Sequence, residues 1–191
     1  MRHILSLFDA SGIWSAPYVQ PSYTVTRVDL SRGIDILETS AQDFAPVHGI
    51  LAAPPCTDFS GSGARWWKEK DADGRTAESI ALLEHTMRLI RDLAPEWWCL
   101  ENPVGRLQRL VPAVGERRMT FNPCDYGDPY TKRTCLWGNF NTDLPLSKVE
   151  PIRACDQGSW LQKLGGKSAR TKALRSATPP GFARAFYQAN P

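Results

Sequence analysis

Apolar residues along this chain fall into short blocks separated by polar, turn-rich stretches, the pattern of alternating strands and helices. Residues 3–9, 23–30, 48–53, 97–100 and 134–137 are rich in branched and aromatic side chains and predict strands. Between 76 and 93, Ile80, Leu83, Met87, Ile90 and Ala94 recur at spacings of three and four. That predicts an amphipathic helix, which Pro95 ends. Pro and Gly cluster just after the strands, at Pro54-Pro55, Pro103 to Gly105 and Gly127 to Pro129, so strand ends lead into stiff turns. The order implies an α/β fold with a parallel sheet, in which ligands bind beyond the carboxyl ends of the strands.

Composition narrows the class. A chain of 191 residues fits one α/β domain. No apolar run approaches the ~20 residues of a membrane span, and the short block after Met1-Arg2-His3 reads as a first strand rather than a signal peptide. Cys56, Cys99, Cys124, Cys135 and Cys155 are odd in number, and no two stand at Cys-x-x-Cys spacing. Neither a disulfide framework nor a standard zinc site is expected, and the reading is a cytoplasmic protein with no metal.

Charge is unevenly placed. The formal net charge is +3, yet residues 151–191 carry 7 Lys/Arg against 1 Asp/Glu. A basic C-terminal fifth suits a polyanion such as nucleic acid, and equally suits a solvated surface.

Three places offer chemistry. Phe8-Asp9-Ala10-Ser11-Gly12 is a strand end entering a small-residue turn, where backbone can approach a cofactor. Asp29 closes the second predicted strand, where an acid can accept from ribose hydroxyls, and Asp43 could accept from an adenine amino group. Gly12 could equally be an ordinary turn residue, and the two acids could be caps. More specific is Ala53-Pro54-Pro55-Cys56-Thr57-Asp58-Phe59-Ser60, where two prolines leave a thiol at a strand end. Last, Trp97-Trp98-Cys99-Leu100-Glu101-Asn102-Pro103 brings a carboxyl group to the same sheet edge beside two tryptophans, a setting that raises a pKa and suits a proton donor.

Pro55-Cys56-x-x-Phe59-Ser60 followed by Glu101-Asn102 resembles the catalytic motifs of the cytosine-5 DNA methyltransferases, and Phe8-x-Ala10-x-Gly12 resembles their cofactor loop. Tyr126 to Thr134 with Trp137-Gly138 is similar to the family's basic motif, and Ser176 to Ala183 to its closing helix. The motifs keep the family order from residue 4 to 189 and are most similar to compact phage and prophage members, which touch on restriction-modification.

The resemblance implies a Rossmann-like S-adenosylmethionine-dependent methyltransferase fold, a mostly parallel sheet with helices on both faces and a minimal target-recognition segment. It divides the chain into a core over 1–138, a reduced basic segment over 139–173 and a returning helix over 174–191. It implies S-adenosyl-L-methionine as cofactor, held by Phe8, Asp9, Ala10, Gly12, Trp14, Asp29, Leu30, Asp43, Phe44, Pro54, Ser176 and Thr178. Cys56 would add to cytosine, Glu101 would handle a proton, and Lys132 or Arg133 would steady the nucleotide. The partner would be DNA, single-stranded or with the cytosine flipped out, because a stacked base hides both faces from the thiol. The departures are Ala10 in place of a glycine, Pro103 in place of valine, and Tyr130, Lys132 and Thr134 in place of a Gln and two arginines. The short 139–173 segment offers few side chains for groove readout, so weak specificity or reliance on a protein partner is expected. A free cytidine nucleotide or RNA as substrate, and a non-catalytic nucleic-acid-binding relic, are the alternatives.

Overall fold

The computed structural model describes residues 1–154, 160–164 and 168–191. Its centre is a six-stranded sheet in the order β2-β1-β3-β4-β6-β5. The strands are β1 (Arg2–Leu7), β2 (Tyr23–Val28), β3 (Gly49–Ala52), β4 (Trp97–Pro103), β5 (Arg117–Phe121) and β6 (Thr134–Asn139). The first four are mutually parallel, and β6 runs antiparallel to both β4 and β5. The helices are α1 (Trp67–Ala72), α2 (Arg75–Leu93), the one-turn α3 (Leu107–Leu110) and α4 (Trp160–Lys163), α5 (Ala169–Ser176) and α6 (Pro180–Ala189).

Period-two alternation splits the apolar residues of each strand between two cores. Leu5, Leu7, Ile50, Ala52, Leu100, Cys135 and Trp137 face one side, where α2 covers them with Leu83, Leu89 and Ile90. Ile4, Leu51, Trp97, Cys99 and Leu136 face the other, against Trp14, Tyr18 and the Phe182 and Phe186 of α6. Strands clothed on both faces read as continuous apolar runs, as in β1, β3, β4 and β6, and with the β-branched β2 five of the six strands are visible in the sequence. The edge strand β5, Arg-Arg-Met-Thr-Phe, has only Phe121 fully buried and carried no such signal.

The α2 helix matches its predicted span closely and stops where Ala94 turns left-handed ahead of Pro95. Its fully buried positions include Thr76, Leu83, Thr86 and Ile90. Residues 61–72 form a 3-10 turn running into α1. Cys155, within the 139–173 segment, falls outside the described residues. Ser168 caps α5 by accepting from the Thr171 amide at 3.1 Å. Among the described residues no helix is long and apolar enough to cross a membrane.

Candidate active site

Parallel pairing sets the site. Ala52 and Leu100 are register partners, so the chain leaves β3 towards Cys56 beside the place where β4 continues to Glu101 and Asn102. Asn102, 1% exposed, donates from Nδ2 to the Pro54 carbonyl at 3.0 Å, tying the two tips together directly. Its Oδ1 is buried and unpartnered, an acceptor held ready at the junction. On the other side β4 pairs with β6, where Glu101 lies opposite Leu136 and Pro103 opposite Thr134; Lys132, just ahead of β6, is close enough to act on the Glu101 carboxyl.

Electrostatics follow from that convergence. Burial pushes the Glu101 carboxyl above its ordinary range, and the Lys132 cation only partly offsets it. Burial also raises the Cys56 thiol; Lys132 pulls it back down, Glu101 raises it further, and Arg175 lowers it. Cys56, Glu101, Lys132 and Arg175 therefore share one electrostatic neighbourhood, although they come from four distant stretches of sequence. Burial favours the uncharged forms of this acid and this thiol, and two cations lie close by, a setting that suits an anionic ligand such as a nucleotide phosphate. Arg133 is exposed and lends its carbonyl to the Val104 amide at 3.3 Å. Arg175 of α5 had no motif to announce it; its place depends on how the chain returns over the sheet.

The loop following Cys56 is held at every backbone carbonyl. Cys56 O accepts from the Phe59 and Ser60 amides at 3.1 and 2.8 Å. Thr57 O accepts from Lys70 Nζ at 2.6 Å, and Asp58 O from Arg106 Nε at 2.9 Å. Phe59 O accepts from the Arg106 amide at 2.9 Å. The Asp58 carboxyl is occupied by Lys70 Nζ at 2.9 Å and the Ser79 hydroxyl at 2.6 Å.

The carboxyl ends of β1 to β3 form a second rim. Phe8, just past β1, sits at φ 61, a left-handed conformation that costs a non-glycine residue about 1–2 kcal/mol and turns the chain sharply there. Gly12, at φ 70, continues the turn. Asp9 is buried and spends its carboxyl on that turn, accepting from Ser6, Ser11 and, at 3.0 and 2.7 Å, the amide and hydroxyl of Ser15. Trp14 is fully buried against Phe182 and Phe186, inside the core rather than on the rim. Asp29 accepts from the Ser31 amide at 2.8 Å through Oδ1 only. Asp43 accepts from the Ser40 amide at 2.7 Å through Oδ2, and that bond holds its carboxyl below the usual range. Among the described residues, each acid thus keeps one oxygen without a hydrogen-bond partner. Leu30 is 73% exposed, and Phe44 is half-buried against the core. Ala10 is exposed and Pro54 is buried at the edge of the same rim. Two free carboxyl oxygens beside apolar side chains are a donor-seeking, ring-stacking surface, which suits a nucleoside. Thr178 is buried where the chain enters α6, whereas the Ser176 hydroxyl is exposed and donates back to Ala173 O at 3.2 Å.

A mostly parallel sheet with helices packed on both faces is a Rossmann-like α/β fold. Two solved structures share it: a DNA modification methyltransferase encoded within an E. coli prophage, 19% identical with a TM-score of 0.51 over 77% of this chain and 49% of that one, and the Entamoeba histolytica methyltransferase EhMeth, 13% identical with a TM-score of 0.51 over 88% and 61%. Residues 22–110, which hold Cys56, Glu101 and Asn102, match the model of the C-5 cytosine-specific DNA methylases. The type II methyltransferase M.DdeI of Desulfomicrobium norvegicum is 26% identical over 118 residues, 53% of this chain. The chain spans 26% of the length of that relative.

Proposed function

We propose that this protein is a DNA cytosine-5 methyltransferase in which Cys56 adds to carbon 6 of the base and Glu101 serves ring nitrogen 3. The observation that supports this is the meeting of two neighbouring strand tips, with Asn102 bridging to the Pro54 carbonyl at 3.0 Å.

Cytosine carbon 5 is a poor nucleophile until something adds at carbon 6. The Cys56 thiolate forms that bond, and the ring electrons are relayed to carbon 5. Burial favours the protonated form of Glu101, which makes it a donor at nitrogen 3 and renders carbon 6 more electrophilic. The thiol must give up its proton to react, and Lys132 and Arg175 are the cations that favour the anion. Both also suit the phosphate of a nucleotide brought into the cleft. S-adenosyl-L-methionine would supply the methyl group as a sulfonium, and Phe8, Ala10, Gly12, Asp29, Leu30, Asp43, Phe44, Pro54 and Thr178 would hold it. Once carbon 5 is methylated, loss of its proton to a base breaks the sulfur–carbon bond and frees Cys56. A duplex substrate must present its cytosine extrahelically, because stacking shields carbon 6.

The test is transfer of radiolabelled methyl from S-adenosylmethionine to duplex DNA, single-stranded DNA, RNA and dCMP in parallel. Transfer to DNA, with a covalent adduct on 5-fluorocytosine DNA, is expected. Preference for RNA or dCMP would replace the substrate assignment, and no transfer to any acceptor by folded protein would overturn the reading.

A further inference from the structure

We propose that Arg106 is a positioning residue for the nucleophile, clamping the loop of Cys56 to the exit of β4 and to α1. This rests on Cys56 being the reactive group.

Arg106 is only 6% exposed, yet it carries a charge that has to be met inside the protein. Four partners meet it. Its Nε donates to Asp58 O at 2.9 Å, two residues beyond Cys56. Its Nη1 and Nη2 form a two-pronged pair with Asp71 of α1, both at 2.7 Å. Nη2 also donates to the Thr76 hydroxyl at 2.9 Å, and the guanidinium lies 4.6 Å from the centre of the Trp67 ring. Arg106 thus joins the nucleophile loop, the exit of β4 and the two helices after Cys56.

The backbone around it supports the same role. The Arg106 amide donates to Phe59 O at 2.9 Å and Gly61 donates to Val104 O at 2.9 Å, so the two loops run together as a short antiparallel bridge. A side chain at Gly105 would come within 1.9 Å of Phe59 O, and only glycine permits that approach. Arg106 lies five residues past Glu101 on the same exit from β4, so what it holds fixed is the thiol's loop relative to the acid's strand. Displacements of the order of 1 Å in such an arrangement cost about 10²-fold in rate.

The Asp71 carboxyl is half-exposed, so Asp71→Asn weakens the fork without burying a new orphan. The measurement is the rate at which iodoacetamide alkylates Cys56, followed by peptide mass spectrometry with Cys124 in the same protein as internal standard. It requires no methyl transfer. In Asp71→Asn the Cys56 rate should change several-fold while the Cys124 rate stays constant. Arg106→Lys, which keeps the charge but cannot fork, should show the same change. Methyl transfer by both variants should lose kcat about 10-fold or more, with KM for DNA nearly unchanged. An unchanged Cys56 rate in Asp71→Asn, or a Lys variant indistinguishable from the parent, would overturn the clamp. Wild-type protein that transfers no methyl would instead overturn the reading of function and leave the alkylation rates to decide the clamp.

Discussion

The two halves of the carboxyl edge are built differently. At the tips of β3 and β4, Cys56 and Glu101 stand in a crowded setting where burial controls their protonation and every nearby carbonyl is gripped. Past β2, Asp29 at the strand's end and Asp43 in the 3-10 turn ahead of β3 stand near solvent, each pegged to a neighbouring serine and each, among the described residues, with an oxygen to spare. The contrast follows from the tasks proposed for the two halves. A proton donor near neutral pH needs a low dielectric around a carboxyl, whereas a hydrogen-bond acceptor for a diffusing cofactor needs an ionised carboxyl that can be reached.

Substitutions should separate the halves. Cys56→Ser should remove methyl transfer and trapping on 5-fluorocytosine DNA altogether; a trapped adduct with that variant would move the nucleophile elsewhere. Glu101→Gln should slow kcat by about 10²-fold or more while leaving cofactor affinity alone, as read by calorimetry. It should also alter the pH dependence of stability. The folded-state pKa of Glu101 is raised, so its contribution to stability is complete below the unfolded pKa of about 4.3 and is lost as pH rises through the folded value. Gln does not titrate, so denaturant midpoints should favour Glu101→Gln progressively above that range; parallel curves would show the acid to be ordinary. The smallest effect belongs to the open rim. Asp43→Ala should weaken cofactor binding about 10-fold, the loss of one or two hydrogen bonds to a charged acceptor, with little change in kcat at saturating cofactor. A loss of kcat as large as that of Glu101→Gln would erase the distinction between the halves.

The half with Cys56 and Glu101 was the more legible of the two because its signals are local. Pro54-Pro55-Cys56 and Glu101-Asn102 each lie directly after an apolar strand, so short stretches announced both the residue type and its place at a sheet edge. The rim was less so. Trp14 follows the small-residue turn as a cofactor contact would, but the amphipathic α6 needs aromatic partners, and Phe182 and Phe186 draw the indole into the core. Asp9, at a position that also suits a ligand, is consumed by the turn it stabilises.

What the chain determined by itself was the alternation of strands and helices, the thiol and carboxyl at the ends of two strands, and the basic character of its last fifth. These are properties of period and neighbourhood, fixed by residues a few positions apart. Only the tertiary structure decided that Arg175 and Lys132 share the thiol's field, that β6 runs antiparallel, and that Arg106 joins four segments. Each depends on contacts between residues up to 119 positions apart, such as Cys56 and Arg175. Long-range contacts of that kind are selected by the burial of both sheet faces together, and no local pattern encodes them.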